Sequence, residues 1–137
     1  MILNKKSGWK AVAKTTNFGE IITSDSQECK LVVDLFVDRI LGFVGSYYLK
    51  LGGNVDAIVF AGGIGEKSSQ LRQRVIERCD CLGFSISEEK NNEHAESAVQ
   101  DISKDGSKHL TLVCRTDEEF EMARCCIMDP VSRRMEP

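Results

Sequence analysis

The feature that most constrains the fold is a short apolar run followed at once by a cluster of glycines. Residues 56–60 read Asp-Ala-Ile-Val-Phe, and residues 62–65 read Gly-Gly-Ile-Gly. A continuous apolar run bounded by turn residues predicts a strand buried on both faces, as in a parallel sheet. Residues 61–66 are then a glycine-rich turn at the carboxyl end of that strand, and Ser68 or Ser69 is expected to cap the helix that follows.

Amphipathic helices are predicted on both sides of this strand and turn. From Glu28 to Lys50 apolar residues recur every three or four positions, and Gly52-Gly53 ends the pattern. A second such pattern follows the turn and stops at Gly83. Its apolar positions are Leu71, Val75, Ile76, Cys79 and Leu82.

The remaining segments have a weaker pattern of apolar residues, so their structure is predicted mainly from turn residues and short apolar runs. Residues 1–27 contain no recognisable element, residues 84–86 are a short strand candidate, and residues 87–107 are a polar surface excursion with room for a short helix. Residues 109–114 predict a second buried strand.

A final helix is predicted to run to about Met128. Thr116 and Glu119 have the spacing of a capping box, in which each side chain bonds the other residue's backbone amide. Phe120, Ala123 and Ile127 are expected to face inward.

This order of elements predicts an α/β fold with parallel strands and flanking helices. Only two strands are convincing, and three helices need more sheet than that to cover them. The 137 residues therefore predict a single, incomplete piece of a larger α/β domain.

Composition argues against several classes of function. The net charge of −3 and the mixed signs of charge give no sign of binding to nucleic acid or to an anionic membrane surface. No apolar run is long enough to cross a bilayer, and the first six residues lack the apolar region of a secretory signal. A cytoplasmic location is expected.

The six cysteines are predicted to be thiols and mostly small core residues. Cys79 and Cys81 are separated by one residue, and Cys125 and Cys126 by none, whereas zinc sites use spacings of two to four. His94 and His109 lie in no metal motif.

The glycine-rich turn lies where ligands bind in open α/β sheets, beyond the carboxyl ends of the strands. Its amides, at the start of a helix, could face an anion. Two familiar phosphate motifs each fail by one residue, because Glu66 separates Gly65 from Lys67, and Ser68 stands where the dinucleotide motif needs glycine. On geometry alone, a structural turn and a nucleotide site are equally supported.

The wider string from Val55 to Arg72, VDAIVFAGGIGEKSSQLR, closely resembles the signature of the acetate and propionate kinase family. Further blocks agree in order, so the resemblance covers nearly the whole chain. They are residues 3–8, residues 82–84 with 88–91, and residues 115–119 with 123–124.

The resemblance implies a C-terminal portion of an enzyme with the duplicated actin-like, sugar-kinase-like (ribonuclease H-like) fold. Members of the family transfer the γ-phosphoryl group of ATP to acetate, giving acetyl phosphate and ADP, reversibly and with Mg²⁺. They work as homodimers, so the full-length protein is expected to be a homodimer.

The resemblance also assigns site residues. Five consecutive residues match the loop that packs against the adenosine and its phosphates: Gly63, Ile64, Gly65, Glu66 and Lys67. A second nucleotide-side loop matches Asn17, Phe18 and Gly19. Glu118 matches the carboxylate that helps to place Mg²⁺, and with Glu119 assigned to capping, Glu118 is left for the metal.

The chain departs from the family pattern at three of these positions. Lys67 stands where the family usually has asparagine, and lysine can only donate a hydrogen bond. Asn17 and Gly19 stand where the family has an acidic residue and often an arginine.

No catalytic residue is expected here, because the family's catalytic arginines, histidine and aspartate lie upstream of the matching region. Arg72, Arg74 and Arg78 match none of them and are predicted to be solvated surface.

The expectation is therefore part of a nucleotide and magnesium site, inactive by itself. One alternative is a non-catalytic interaction module with a dimer face on the helix from Glu28 to Lys50. Another is a kinase that uses pyrophosphate as donor, motivated by Lys67.

Overall fold

A computed structural model describes residues 7–93 and 97–128. Residues 3–6 of the first matching block, His94 and the last nine residues lie outside the described residues. The helices are α1 (Trp9–Ala13), α2 (Phe18–Thr23), α3 (Gln27–Lys50), α4 (Gly62–Lys67), α5 (Ser69–Arg78), α6 (Glu88–Asn92) and α7 (Glu118–Met128). The strands are β1 (Ala57–Phe60), β2 (Val99–Asp101) and β3 (Leu110–Cys114). A 3₁₀ helix spans Asp80–Leu82.

The strands form one sheet in the order β1-β3-β2. β1 and β3 are parallel, with Ala57 opposite Leu110 and Phe60 opposite Val113. Their carboxyl ends therefore meet at one edge, as the sequence predicted. β2 is antiparallel to β3 and comes from the segment predicted as a surface excursion. The fold is α/β, as predicted, with a mixed sheet.

The prediction that residues 1–27 hold no element is wrong, because α1 and α2 lie there. They pack on α3 through an aromatic cluster of Trp9, Phe18 and Phe36, with ring centroids 5.2–5.5 Å apart. Helices of five and six residues are too short to show periodicity, and they depend on such tertiary packing.

The main core lies between α2, α3, α5 and one face of the sheet. Its most buried apolar side chains, each at most 3% exposed, are Ile21, Val32, Val33, Leu71, Val75, Ile76, Cys79 and Phe84. The other face of β1 and β3 is open, since Val59 is 54% and Leu110 46% exposed. The predicted burial of these strands on both faces is therefore wrong within the described residues.

The segment 87–107 is more than a surface excursion. The expected short helix is α6, and the segment also contributes β2 to the sheet. Asn91, Ile102 and Ser103 are 3%, 0% and 5% exposed. Residues 84–86 form only isolated bridges, from Phe84 to His109 and from Ile86 to Ser103.

Helix α7 was predicted correctly in extent and wrongly in orientation. Phe120 is 65% and Ile127 71% exposed, so the expected inward face contacts no core. The capping box is also wrong. The Asp117 carboxylate accepts the amide of Phe120 at 2.8 Å and caps the helix in place of Thr116.

The cysteines are thiols, as predicted, but only Cys29 and Cys79 are buried, so the core prediction holds for two of them. Among the described residues, no helix is long and apolar enough to span a membrane.

Candidate functional site

The glycine-rich segment is a six-residue helix, α4, and not the predicted open turn. Only Gly62, with φ 71°, needs the left-handed conformation that favours glycine. A Cβ added at Gly63 would meet nothing within 4 Å, whereas one at Gly65 would meet Phe60 at 3.5 Å. The backbone conformation and the packing around Gly63 therefore do not require glycine there.

Two segments that the sequence assigned to nucleotide binding face each other across a first cleft of about 570 Å³. This volume is within the range of small-molecule sites, about 300–1,000 Å³. Asn17, Phe18 and Gly19 line one side, and Gly63, Ile64 and Lys67 line the other. The remaining lining residues are Thr16, Ile22, Thr23, Ser68, Ser69 and Gln70.

The α2 side of the first cleft is held by its own contacts. The Asn17 side chain caps α2, accepting the Gly19 amide at 3.0 Å and donating to Glu20 at 2.9 Å. Phe18 is 7% exposed because its ring belongs to the aromatic cluster. These residues shape the wall, and the polar atoms of Asn17 are already engaged.

A second cleft, of about 650 Å³, lies at the carboxyl ends of β1 and β3. Gly63 and Lys67 line both clefts. The second cleft adds Gly62, Glu66, Ala98, Arg115, Thr116, Asp117, Glu118 and Glu119. Neither Lys67 nor Arg115 belongs to an ion pair found among the described residues.

Glu66 ties the segments after β1 and β3 together. Its Oε1 accepts the amides of Gly62 and Thr116, both at 2.9 Å, and the Thr116 hydroxyl at 2.7 Å. These bonds, that from the Thr116 hydroxyl foremost, lower the pKa of the Glu66 carboxyl. The Gly62 amide, at the start of α4, thus faces a carboxylate of the protein, which weakens the case for an anion at that amide.

Glu118 lies in the first turn of α7 and lines the second cleft. Asp117, not Glu119, caps this helix, so capping no longer singles out Glu118 for a metal. Within the described parts of the chain, no three His, Cys, Asp or Glu side chains are grouped to hold a metal alone.

Arg72 is the largest departure from the sequence prediction. It is 5% exposed, and its guanidinium bonds Asn91 and the carbonyls of Gly65 and Glu66. The position of Arg72 in the sequence does indicate that it faces the core. Arg72 is four residues before Ile76 and seven before Cys79, on the same stripe of a 3.6-residue helix.

The described residues thus bring together Asn17, Phe18 and Gly19 with Gly63, Ile64 and Lys67 at one cleft. Glu118 lies at the adjoining cleft with Gly63 and Lys67. Gly65 lines neither cleft.

Comparisons of the sequence with a family model and with curated proteins point to the same family. The model of the Acetokinase family matches residues 1–124. A probable acetate kinase of Emericella nidulans is 50% identical over 131 residues, covering 91% of this chain and 31% of that protein. The acetate kinase of Enterococcus faecalis is 40% identical over 126 residues, covering 90% and 31%.

Solved structures agree. The acetate kinase of Entamoeba histolytica superimposes with a TM-score of 0.81 at 22% identity, covering 90% of this chain and 34% of that one, and shows the fold. A propionate kinase of Francisella tularensis gives 0.75 at 32% identity, covering 89% and 31%. The chain spans about a third of the length of the curated relatives it matches.

Proposed function

This chain belongs to the Acetokinase family, and on that premise we propose that it supplies part of the nucleotide and magnesium site of an acetate kinase. The reaction is reversible transfer of the γ-phosphoryl group of ATP to acetate, giving acetyl phosphate and ADP. The chain by itself is expected to bind nucleotide without turnover, in the cytoplasm.

The observation that carries this proposal is the shared first cleft. Asn17–Gly19 and Gly63–Lys67 are far apart in sequence and face each other across one space of suitable volume. The half-buried Ile64 gives it an apolar surface for a base and ribose, and Ser69 and Gln70 add polar groups. Gly63 leaves open space at its α-carbon, which lets a ligand approach the backbone.

The second cleft has the charges that phosphates need. A nucleotide in the first cleft could continue past Gly63 and Lys67, which line both clefts. Lys67 and Arg115 would neutralise phosphate oxygens. Phosphoryl transfer depends largely on such positioned cations.

Glu118 fits the part of a magnesium ligand. Mg²⁺ in phosphoryl-transfer sites is held by one or two carboxylates together with phosphate oxygens and waters, so one carboxylate at the second cleft is enough for a partial site. When bound, Mg²⁺ would supply positive charge that neutralises the phosphates. Glu118 would hold and orient it.

Calorimetry tests the nucleotide site. ADP with Mg²⁺, titrated into the 137-residue chain, is expected to release heat, and Lys67→Ala should weaken ADP about tenfold, from one charge-assisted hydrogen bond of about 1.4 kcal/mol. Adenosine should be unaffected. Lys104→Ala, which removes the same charge away from both clefts, is the matched control. No heat at millimolar ADP would rule the site out.

Glu118→Gln tests the proposed role of Glu118 as a magnesium ligand. The variant should have a lower affinity for ADP than the unchanged chain only when Mg²⁺ is present. A hydroxamate trap for acetyl phosphate tests turnover by the isolated chain. Hydroxamate formed well above the no-protein control would contradict the expected inactivity.

A second role, in homodimer formation, is favoured by the outer face of α3. Leu31, Leu35, Phe43 and Tyr47 are each 51–58% exposed and lie four or eight residues apart along the helix, with Arg39 at the intervening position. Sedimentation of Leu35→Glu against the unchanged chain tests this role. A monomer in both cases would reject it.

A further inference from the structure

Arg72 is a buried cation with neutral partners. Charged side chains are almost never fully buried unless they are paired, yet Arg72 is 5% exposed and belongs to none of the ion pairs found among the described residues. Burial lowers its pKa. Carbonyl and amide oxygens must therefore compensate its charge.

Two of those oxygens belong to the helix that lines both clefts. Nη1 donates to the Gly65 carbonyl at 2.9 Å and to the Glu66 carbonyl at 2.7 Å. The two carbonyls are consecutive, so one guanidinium fixes two peptide planes. The second plane carries the amide of Lys67, so Arg72 also restrains the backbone on which Lys67 stands.

The other partner is Asn91, in α6. Nε donates to Asn91 Oδ1 at 2.7 Å and Nη2 to the Asn91 carbonyl at 2.8 Å. Asn91 is 3% exposed, and its Nδ2 donates to the Ser69 carbonyl at 3.0 Å. The guanidinium, a rigid planar fork of donors, is thus held in one orientation.

Helix α4 needs such external support. It has six residues, three of them glycine, and isolated helices of this length are unstable in water. Each interior glycine adds conformational freedom that folding must remove. Glu66 accepts the amide of the helix's first residue, Gly62, and Arg72 donates to the carbonyls of Gly65 and Glu66 near the helix's end.

We propose that Arg72, anchored by Asn91, is a positioning residue that holds α4 in the conformation that binds nucleotide. This inference rests on the proposed function. Arg72 lines neither the first nor the second cleft, although it lines a neighbouring cleft of about 580 Å³ together with Glu66, Lys67 and Arg115. Its link to the first two clefts is the backbone of Gly65 and Glu66, whose carbonyls it bonds. Binding sites depend on such support, because small displacements of a binding group cost much of its affinity.

The test compares Arg72→Lys and Asn91→Ala with Ile76→Val. The lysine keeps the charge but cannot reproduce the fork, and the alanine removes the anchor while leaving Arg72 in place. Ile76 is on the same helix, is 1% exposed and contacts the core, so its valine variant controls for general destabilisation. All measurements are made at a temperature at which circular dichroism shows every variant folded.

Two readouts are taken on the full 137-residue chain: ADP affinity by calorimetry, and hydrogen exchange of the peptide containing residues 62–67. Arg72→Lys and Asn91→Ala should weaken ADP about tenfold or more and speed exchange of that peptide. Ile76→Val should change neither. If Arg72→Lys does not fold, the ADP affinity and hydrogen exchange of Asn91→Ala test the proposal.

Unchanged ADP affinity in the folded Arg72→Lys and Asn91→Ala variants overturns the proposal. So does an equal loss of affinity in Ile76→Val, because general stability would then explain it. If the unchanged chain binds no ADP, the proposed function fails, and the exchange measurement alone decides whether Arg72 holds α4.

Discussion

Replacing Gly63 with alanine should stabilise the fold and weaken nucleotide binding at the same time. Gly63 is inside α4, its φ is not positive, and an added Cβ would meet nothing within 4 Å. Alanine is favoured over glycine in helices by about 0.5–1 kcal/mol. For a chain of this size that should raise the Tm by about 2–4 °C.

The same methyl group should obstruct the ligand. Gly63 lines both clefts, so its Cβ would project into the space through which we propose that the nucleotide passes. Inserting a methyl into a filled space costs about 1–3 kcal/mol in protein cores. Applied to a bound ligand, that corresponds to about 5- to 150-fold weaker ADP binding.

Gly65→Ala is the matched control, because it makes the same change in the same helix. Its Cβ would be in ordinary contact with Phe60, at 3.5 Å, and Gly65 lines neither cleft. Thermal melts should show similar stabilisation for both variants, and calorimetry should show weaker ADP binding only for Gly63→Ala. The reasoning would be refuted if Gly63→Ala bound ADP with the affinity of the unchanged chain. It would also be refuted if Gly65→Ala lost as much affinity for ADP as Gly63→Ala.

Three further predictions concern stability and reactivity. Thr116→Val should lower the free energy of unfolding in urea by about 1 kcal/mol, because it removes the 2.7 Å hydrogen bond to Glu66; an unchanged midpoint would contradict this. Hydrogen bonds from Thr116 lower the pKa of Glu66 below its ordinary 4.5, so the stability it contributes is complete above pH 4.5 and is lost as the pH falls through the lowered value. The difference in unfolding free energy between the unchanged chain and Glu66→Gln should therefore shrink from pH 5 to pH 3, and a constant difference would be inconsistent with this linkage. Cys79 is 1% exposed, and burial raises its pKa to about 11, so iodoacetamide at pH 8 should label exposed Cys81 first; mass spectrometry showing equal rates would count against the packing.

The elements that sequence reasoning predicted well are those whose pattern is long or repeated. Helix α3 has 24 residues with a regular apolar face, and its predicted start differs from the observed one by one residue. β1 and β3 were recognised from apolar runs between turn residues, and their predicted bounds were too long by one residue at the start.

The elements that it missed depend on contacts distant in sequence. The three glycines of α4 argue for a turn, whereas the folded chain has a helix there whose ends are hydrogen-bonded by the side chains of Glu66 and Arg72. β2 has three residues and is defined by pairing with β3. A local sequence pattern shows neither the hydrogen bonds at the ends of α4 nor the pairing of β2 with β3.

The same limit applies to the site. Resemblance identified the segments that line the first cleft, but not which side chains remain available there. Asn17 and Glu66 were both assigned to nucleotide binding, and both make hydrogen bonds within the protein. The Asn17 bonds are local, to Gly19 and Glu20. Glu66, in contrast, bonds Thr116, which only the folded chain brings near it. Arg72 was assigned to the surface, and its partners Asn91 and Gly65 lie in three-dimensional, not sequential, proximity to one another.

These internal bonds narrow how the cleft can recognise a ligand. The Asn17 amide and Oε1 of Glu66 are engaged within the protein, and Lys67 is the charged side chain that the matched loops present to the first cleft. An ammonium group donates hydrogen bonds and accepts none, so it favours phosphate oxygens over the exocyclic amine of adenine. In the proposed site, discrimination between bases would then come from shape and from groups such as Gln70, while Lys67 would contribute affinity for any phosphorylated ligand that fits. In the nucleotide site that we propose, affinity and base selectivity are therefore expected to be separable, with Lys67 contributing to affinity.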